Sequence, residues 1–269
     1  MNLLGVWQCL IAQWKIKVFL GGIITAVFWF GYFSIERTHV FPVFEMPTTA
    51  IDRLIPFQPG AAFFYLSQFY TMPLILWLMS SRRQIMSCCL GLALLIGVSF
   101  TIFVIWPTSV ARPEIILGQH PLYDLIARHD LPRNACPSLH AAFGVFIAGY
   151  ACEVFRGWSF RRWLVGAVWL WTGAVLISTL LVKQHVLLDL LAGGILGAIS
   201  WLLRHFTLPE PSLRLVSQNG PTPAVTPFSD RNRWLQNFCY PRAIKRKTTW
   251  RNQTLFHFKK EWMVSPFSG

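Results

Sequence analysis

The sequence predicts an all-α integral membrane protein: a bundle of six transmembrane helices followed by a disordered basic cytoplasmic tail. Two features of the composition predict this class. Of the 269 residues, 54% are hydrophobic and only 13% are charged, whereas a soluble domain usually carries about 25% charged residues. The third observation is that the apolar residues occur in blocks of roughly 20, the length that a helix needs to cross a bilayer.

The first apolar run, residues 18–35, follows Lys15 and Lys17. A cleaved signal peptide is the alternative interpretation, but its apolar region would be shorter and would end in small residues. This run ends in Phe-Gly-Tyr-Phe at residues 30–33. We therefore interpret it as an uncleaved membrane span.

Five further apolar runs follow, separated by polar connections. The six predicted spans are residues 18–35, 60–79, 85–106, 137–155, 163–182 and 185–206. The longest internal connection is residues 107–136. We thus divide the chain into an N-terminal segment (1–14), a membrane domain (15–206) and a tail (207–269).

The cations that flank the spans predict the orientation of the chain. Six spans place both termini on one side of the membrane, and cationic connections favour the cytoplasmic side. The flanking cations on that side are Lys15, Lys17, Arg82, Arg83, Arg156, Arg161, Arg162 and Arg204. We expect a protein of the inner or plasma membrane with both termini in the cytoplasm.

The tail has a different composition from the spans. Five prolines between residues 209 and 227 prevent a long helix there. The tail carries ten Lys and Arg residues against three Asp and Glu residues, which predicts attraction to anionic headgroups at about 1 kcal/mol per cation. The net charge of +13 does not indicate a nucleic-acid partner, because the cations of the first three quarters flank spans. The six cysteines show neither metal-ligand spacing nor a disulfide framework.

Polar side chains from four spans collect near one depth on the predicted non-cytoplasmic side. Ionisable residues are costly within a membrane and usually face the bundle interior, a cavity or a partner. A group of them at one level therefore indicates a functional site. Its members are Arg112, Ser138, His140, Ser178, Thr179, Lys183, His185 and Asp189.

The spacing of His185 and Asp189 indicates a nucleophile. Residues four apart face the same way on a helix, so Asp189 can accept a hydrogen bond from one ring nitrogen of His185. This contact fixes the tautomer and supports positive charge on the ring. A histidine nucleophile requires both effects.

The remaining polar side chains indicate phosphoryl transfer. His140 can donate a proton to a leaving oxygen. Arg112 and Lys183 supply positive charge, and Ser138 begins a helix whose N–H groups are donors. A transferring phosphoryl group needs cations for its oxygens and a proton for its leaving group.

The order of these residues resembles the type-2 phosphatidic acid phosphatase superfamily over approximately residues 15–205. The resemblance rests on three segments: Arg112-Pro113, Pro137-Ser138-Leu139-His140, and Ser178-Thr179-x5-His185-xxx-Asp189. Two further details look more like the inositolphosphotransferase branch, which includes inositol phosphorylceramide synthases. They are the residues around His185 and Asp189, namely Lys183-Gln184 and Ala192-Gly193-Gly194, and the segment Ile51-Asp52-Arg53 followed by Ile55-Pro56-Phe57.

The resemblance implies a role for each matching residue. His185 would form a phosphohistidine, Asp189 would orient it, His140 would be the acid and Arg112 would bind phosphate. Ser138 and Ser178 are further candidates for phosphate binding. The family needs no metal, and no other cofactor is expected.

Three positions depart from the family's motifs. The lysine expected before Arg112 would stand at position 105, which is Ile105. Leu139 replaces a glycine and Thr179 replaces an arginine. Two phosphate-binding cations are therefore missing, and we expect Lys183 to replace part of their charge. These losses affect the substrate class more than the chemistry, because the three catalytic residues are present.

Other functions are compatible with a polar site in a membrane. A transporter is the main alternative, although transporters tend to show internal repeats and broken helices near the midplane. A haem protein would need His140 and His185 as axial ligands and would leave Asp189 unexplained. Within the enzyme class, either water or a second alcohol completes the reaction. The substrate lipid and the oligomeric state stay open.

Overall fold

The computed structural model describes residues 3–38, 40–113 and 118–207. Almost all of the regular structure in these ranges is helical. The helices are α1 (Leu3–Ile11), α2 (Trp14–Arg37), α3 (Ala50–Leu54), α4 (Ala62–Leu78), α5 (Arg82–Ile105), α6 (Pro121–His129), α7 (Leu139–Val154), α8 (Arg161–Leu181) and α9 (Leu187–Thr207). The predicted tail beyond residue 207 lies outside the described residues.

Six of these helices coincide with the six predicted spans. Within the described ranges, α2, α5, α8 and the segment Pro59–Leu78, which contains α4, are long and apolar enough to cross a membrane. Helix α7 and the Leu187–Leu203 part of α9 are apolar but shorter. The length and apolar composition of these helices support the helical membrane class, and the exact number of six spans stays a prediction.

The connections contain structure that the sequence did not predict. Strands β1 (Phe44–Glu45) and β2 (Thr108–Ser109) pair in parallel, with Phe44 opposite Thr108. Helices α1, α3 and α6 are also additional to the predicted spans. Each is nine residues long or shorter, too short for a membrane span. The strand pair joins the connection after α2 to the connection after α5.

Helices α7 and α9 pack closely against each other. Gly193 and Gly197 lie on one face of α9, where a Cβ atom would overlap the backbone carbonyl of Ser138, just before α7, or of Ala142, within α7. Small residues at such positions allow two backbones to approach closely. Gly194 is different, because its nearest neighbour would be the Val145 side chain at 3.9 Å.

Two helix starts differ from the sequence interpretation. Pro137 was expected in the first turn of the fourth span, but α7 begins at Leu139 and Ser138 is its N-cap, whose hydroxyl accepts from the Ala141 N–H at 3.4 Å. The sixth span was expected to begin at His185, but α9 begins at Leu187. Serine is a favoured N-cap residue because its side chain satisfies a free N–H group.

We predict that Gly197→Ala lowers the thermal stability of the purified protein in detergent. The added methyl group has no space against the Ala142 carbonyl, and overpacking of this kind costs about 1–3 kcal/mol. Gly194→Ala is the matched control on the same helix and should leave Tm within about 2 °C. Equal Tm values for the two variants would contradict the close contact.

Candidate active site

His140 and His185 lie side by side, with ring centroids 6.0 Å apart. His140 is the second residue of α7, and His185 lies in the turn between α8 and α9. The starts of these two helices are joined directly, because the backbone N–H of Ser138 donates to the carbonyl of Asp189 at 3.0 Å. The structure therefore brings together the two histidines that the sequence selected.

His185 is paired with Asp189, as the spacing predicts. Its Nδ1 atom lies 3.4 Å from the Oδ2 atom of Asp189, a fully buried carboxylate that also accepts the Val186 N–H at 3.1 Å. The reason differs from the predicted one, since His185 precedes α9 and shares no helix face with Asp189. The contact arises because a side chain in the first turn of α9 bends back over the helix start. A carboxylate accepts hydrogen bonds, so Nδ1 of neutral His185 carries the proton and Nε2 has a free lone pair.

The turn that carries His185 closes the end of α8. The carbonyl of Thr179 accepts the N–H groups of Gln184 at 3.0 Å and His185 at 3.4 Å. Lys183 occupies the left-handed region with φ 55°, which is typical of the residue just after a helix end. Its ammonium group donates to the carbonyls of Asp52 at 2.8 Å and Ile55 at 2.6 Å. Lys183 thus ties this turn to α3, and its predicted role in phosphate binding stays a prediction.

Asp52 holds the start of α9 from a distant part of the chain. Its Oδ1 atom accepts the Leu187 N–H at 2.8 Å, and its Oδ2 atom accepts the backbone N–H and the hydroxyl of Thr49, both at 2.7 Å. Burial acts to raise the pKa of the Asp52 carboxyl. The hydrogen bonds from Thr49 and Leu187 and the nearby Lys183 charge outweigh burial, so the pKa lies below its ordinary value.

His140 is held on two sides by α4. Its Nδ1 atom lies 2.6 Å from the Oε1 atom of Gln68, while the Nε2 atom of Gln68 donates to the backbone carbonyl of His140 at 2.8 Å. The ring of Tyr65, one turn earlier on α4, lies 4.1 Å from the imidazole, centroid to centroid. The orientation of His140 is therefore determined by side chains as well as by its helix.

Arg112 is placed by the connection that precedes α7. Its guanidinium donates to the carbonyls of Asp130 at 2.5 Å and Leu131 at 2.9 Å, and it lies 3.5 Å from the Asp130 carboxylate. The hydroxyls of Tyr32 and Tyr65 donate to the same carboxylate at 3.0 and 3.2 Å. Arg112 is thus connected to His140 through Asp130 and Tyr65.

The predicted serine ligands are both buried and hydrogen-bonded. Ser138 caps α7, and the hydroxyl of Ser178 donates to the Val175 carbonyl at 2.6 Å. Thr179, which replaces the arginine of the family motif, donates to Leu176 at 2.7 Å. Phosphate binding by Ser138 and Ser178 stays a prediction. Among the residues that the structure describes, no group of three or more His, Cys, Asp or Glu side chains is arranged to hold a metal ion.

Comparison with known proteins gives one match. The family model described as PAP2 superfamily matches residues 86–210, a stretch that contains Arg112, His140, His185 and Asp189. This match supports the type-2 phosphatidic acid phosphatase superfamily and, with the apolar helices, an integral membrane enzyme of the phosphatase or phosphotransferase kind. No curated protein matches the chain, and no solved structure matches it.

The sequence interpretation missed the side chains that surround His140. Tyr65 and Gln68 lie in the second predicted span, and Asp130 lies in the connection of residues 107–136, from which only Arg112 was selected. A signal was present in the sequence, because Gln68 is an amide inside an apolar run, and polar residues within spans usually have a partner. Its spacing of three residues from Tyr65 places both on one helix face.

We predict that Asp52→Ala lowers the stability of the protein by about 1–2 kcal/mol near neutral pH, as loss of a helix cap does. The pKa of Asp52 is lowered in the folded protein, so its stabilising effect is present above the unfolded pKa of about 4 and is lost as the pH falls through the folded value. Thermal melting in detergent at pH 7 and pH 3 measures this, and Glu45→Ala, at an exposed position before α3, is the control. A stability difference that persists unchanged at pH 3 would contradict this account.

Proposed function

We propose that the protein removes or transfers the phosphate group of a lipid through a phosphohistidine intermediate on His185. The observation that carries the proposal is the arrangement of His140, His185 and Asp189, with the two imidazoles 6.0 Å apart and Asp189 behind only one of them. Two histidines with unequal partners are suited to unequal roles, one as nucleophile and one as acid.

The reaction has two steps. In the first, the lone pair on Nε2 of His185 forms a bond to phosphorus, the bond from phosphorus to the lipid oxygen breaks, and protonated His140 gives its proton to that oxygen. In the second, water or an alcohol attacks the phosphohistidine, His140 takes the proton of the attacking oxygen, and the phosphorus–nitrogen bond breaks. Asp189 stabilises the positive charge that forms on His185.

Arg112 is the proposed anchor for the phosphate oxygens. Its guanidinium is held in place by Asp130 and Leu131, and its buried Nε atom has no partner among the described residues. In this proposal Lys183 contributes charge from the turn beside His185, while its hydrogens stay on the Asp52 and Ile55 carbonyls. Ser138 and Ser178 complete the set of proposed phosphate ligands.

The proposed substrate is a lipid-linked phosphate at the non-cytoplasmic face. Candidate lipids are phosphatidic acid, a polyprenyl pyrophosphate, or a phosphorylated glycolipid or sphingolipid. The resemblance of the segments around Asp52 and His185 to the inositolphosphotransferase branch adds a second alcohol as a possible acceptor. Purified protein incubated with labelled lipid phosphates, with and without inositol or glycerol, distinguishes the outcomes. Phosphate release alone indicates hydrolysis, and a labelled alcohol phosphate indicates transfer.

We predict that His185→Ala and Asp189→Asn each abolish phosphate release from a panel of lipid phosphates. The first variant removes the nucleophile, and the second removes the charge that supports it. His129→Ala is the matched control, because His129 is exposed and, among the described residues, its ring nitrogen contacts only the Leu125 carbonyl of its own helix. Phosphate release at the wild-type rate by His185→Ala, with normal expression, would refute the mechanism.

We also predict that a cysteine introduced at position 120 reacts with a membrane-impermeant maleimide added to intact cells. His120 is exposed at the start of α6, in the connection assigned to the non-cytoplasmic face. Ser81→Cys, at the exposed start of α5 on the opposite side, is the control and should be protected. Both variants are made with Cys9 and Cys239 replaced by serine. The reverse labelling pattern would show that the chain has the opposite orientation in the membrane.

A further inference from the structure

We infer that Gln68 is a positioning residue, which fixes the tautomer and orientation of His140 so that its Nε2 atom exchanges the proton with the substrate. The inference rests on the proposed function, and it concerns a helix that the family match, residues 86–210, does not include. Gln68 touches His140 and not the reacting atoms.

The direction of the Gln68 amide follows from its backbone contact. One end of the amide lies 2.8 Å from the carbonyl oxygen of His140. A carbonyl oxygen only accepts hydrogen bonds, so the end that faces it must be the NH₂ group. The amide oxygen therefore faces the imidazole, 2.6 Å from Nδ1. No other assignment satisfies both contacts.

The direction of the amide determines the tautomer of His140. An amide oxygen has no hydrogen to give, so Nδ1 must carry the proton in this contact. Nδ1 keeps that proton in both the neutral and the charged ring. Proton exchange is thereby confined to Nε2. The same is true of His185, whose Nδ1 faces Asp189.

The two histidines differ in the charge of the group behind them. Asp189 behind His185 is a carboxylate, which stabilises a positive ring and favours the nucleophile as it becomes charged. Gln68 behind His140 is neutral, so it orients the ring while stabilising the imidazolium less than a carboxylate would. An acid needs this combination, because its charged form must release a proton readily. Asp189 and Gln68 therefore match the roles proposed for the histidines that they contact, nucleophile for His185 and acid for His140.

The surroundings of Gln68 keep its amide in place. Gln68 is 6% exposed, and the ring of Tyr65, one turn earlier, packs on the same imidazole at 4.1 Å. Gly144, one turn after His140, lies beside the amide, since a Cβ atom there would be in van der Waals contact with Nε2 of Gln68 at 3.7 Å. A buried amide with both ends bound to one residue has little freedom to rotate.

The test compares three substitutions that differ in hydrogen bonding. Gln68→Glu keeps an oxygen that accepts the Nδ1 proton, Gln68→Leu removes the acceptor, and Gln68→Lys presents only donors. We expect kcat on a lipid phosphate to be highest for Gln68→Glu, lower for Gln68→Leu and lowest for Gln68→Lys. The loss for Gln68→Leu is on the order of 10- to 100-fold. A purely structural role reverses the first two, because leucine is tolerated in an apolar bundle better than a buried carboxyl group. Ser67→Ala on the same helix is the control and should keep the wild-type kcat.

A second substrate distinguishes a loss of His140 orientation from a general loss of active-site structure. The nitrophenolate released from p-nitrophenyl phosphate is stable without a proton, so its release depends little on the acid. We expect Gln68→Leu to slow the first-turnover release of nitrophenolate, which precedes the attack of water on the phosphohistidine, less than about threefold. Equal losses in the first-turnover rates on both substrates, or a Gln68→Leu variant that retains wild-type kcat on lipid phosphate, would overturn the role of Gln68 and leave the phosphohistidine mechanism intact. Wild-type turnover by His185→Ala would overturn both.

Discussion

The hydrogen bond from the Ser138 N–H to the Asp189 carbonyl, 3.0 Å long, joins the two helix starts on which the histidine pair depends. It joins the start of α7, which carries His140, to the start of α9, whose first turn carries the partner of His185. The bond is possible because Gly193 leaves no side chain between the two backbones. Two segments that lie about 50 residues apart in the chain thus meet at a fixed distance, and the separation of the two imidazoles follows from that contact.

The polar groups of the site form connected pairs, which is how an apolar bundle accommodates charge. Asp189 is paired with His185, Asp130 with Arg112 and two tyrosines, and both ends of the Gln68 amide with His140. Each contact removes an unsatisfied donor or acceptor, and each also restricts the direction of a side chain. Stability and catalytic geometry therefore depend on the same hydrogen bonds.

The sequence predicted the features that depend on local patterns. Apolar runs of membrane length located the six helices, and the spacing of His185 and Asp189 indicated their contact. Features that depend on distant segments were missed: Asp52 caps a helix 135 residues later, and Lys183 donates to carbonyls of that same region. The two-residue shift at the start of α9 was missed as well, because periodicity does not determine where a cap begins.

The central claim is that the phosphoryl group is carried by His185, and the most direct test is to identify the labelled residue. Purified protein is mixed with a ³²P-labelled lipid phosphate, quenched in alkali within milliseconds to seconds, and digested for peptide mapping. We predict a label that is stable to alkali, labile to acid and located on the peptide that contains His185. Rapid turnover with the label on His140, or with no covalent label at any time, would contradict the account.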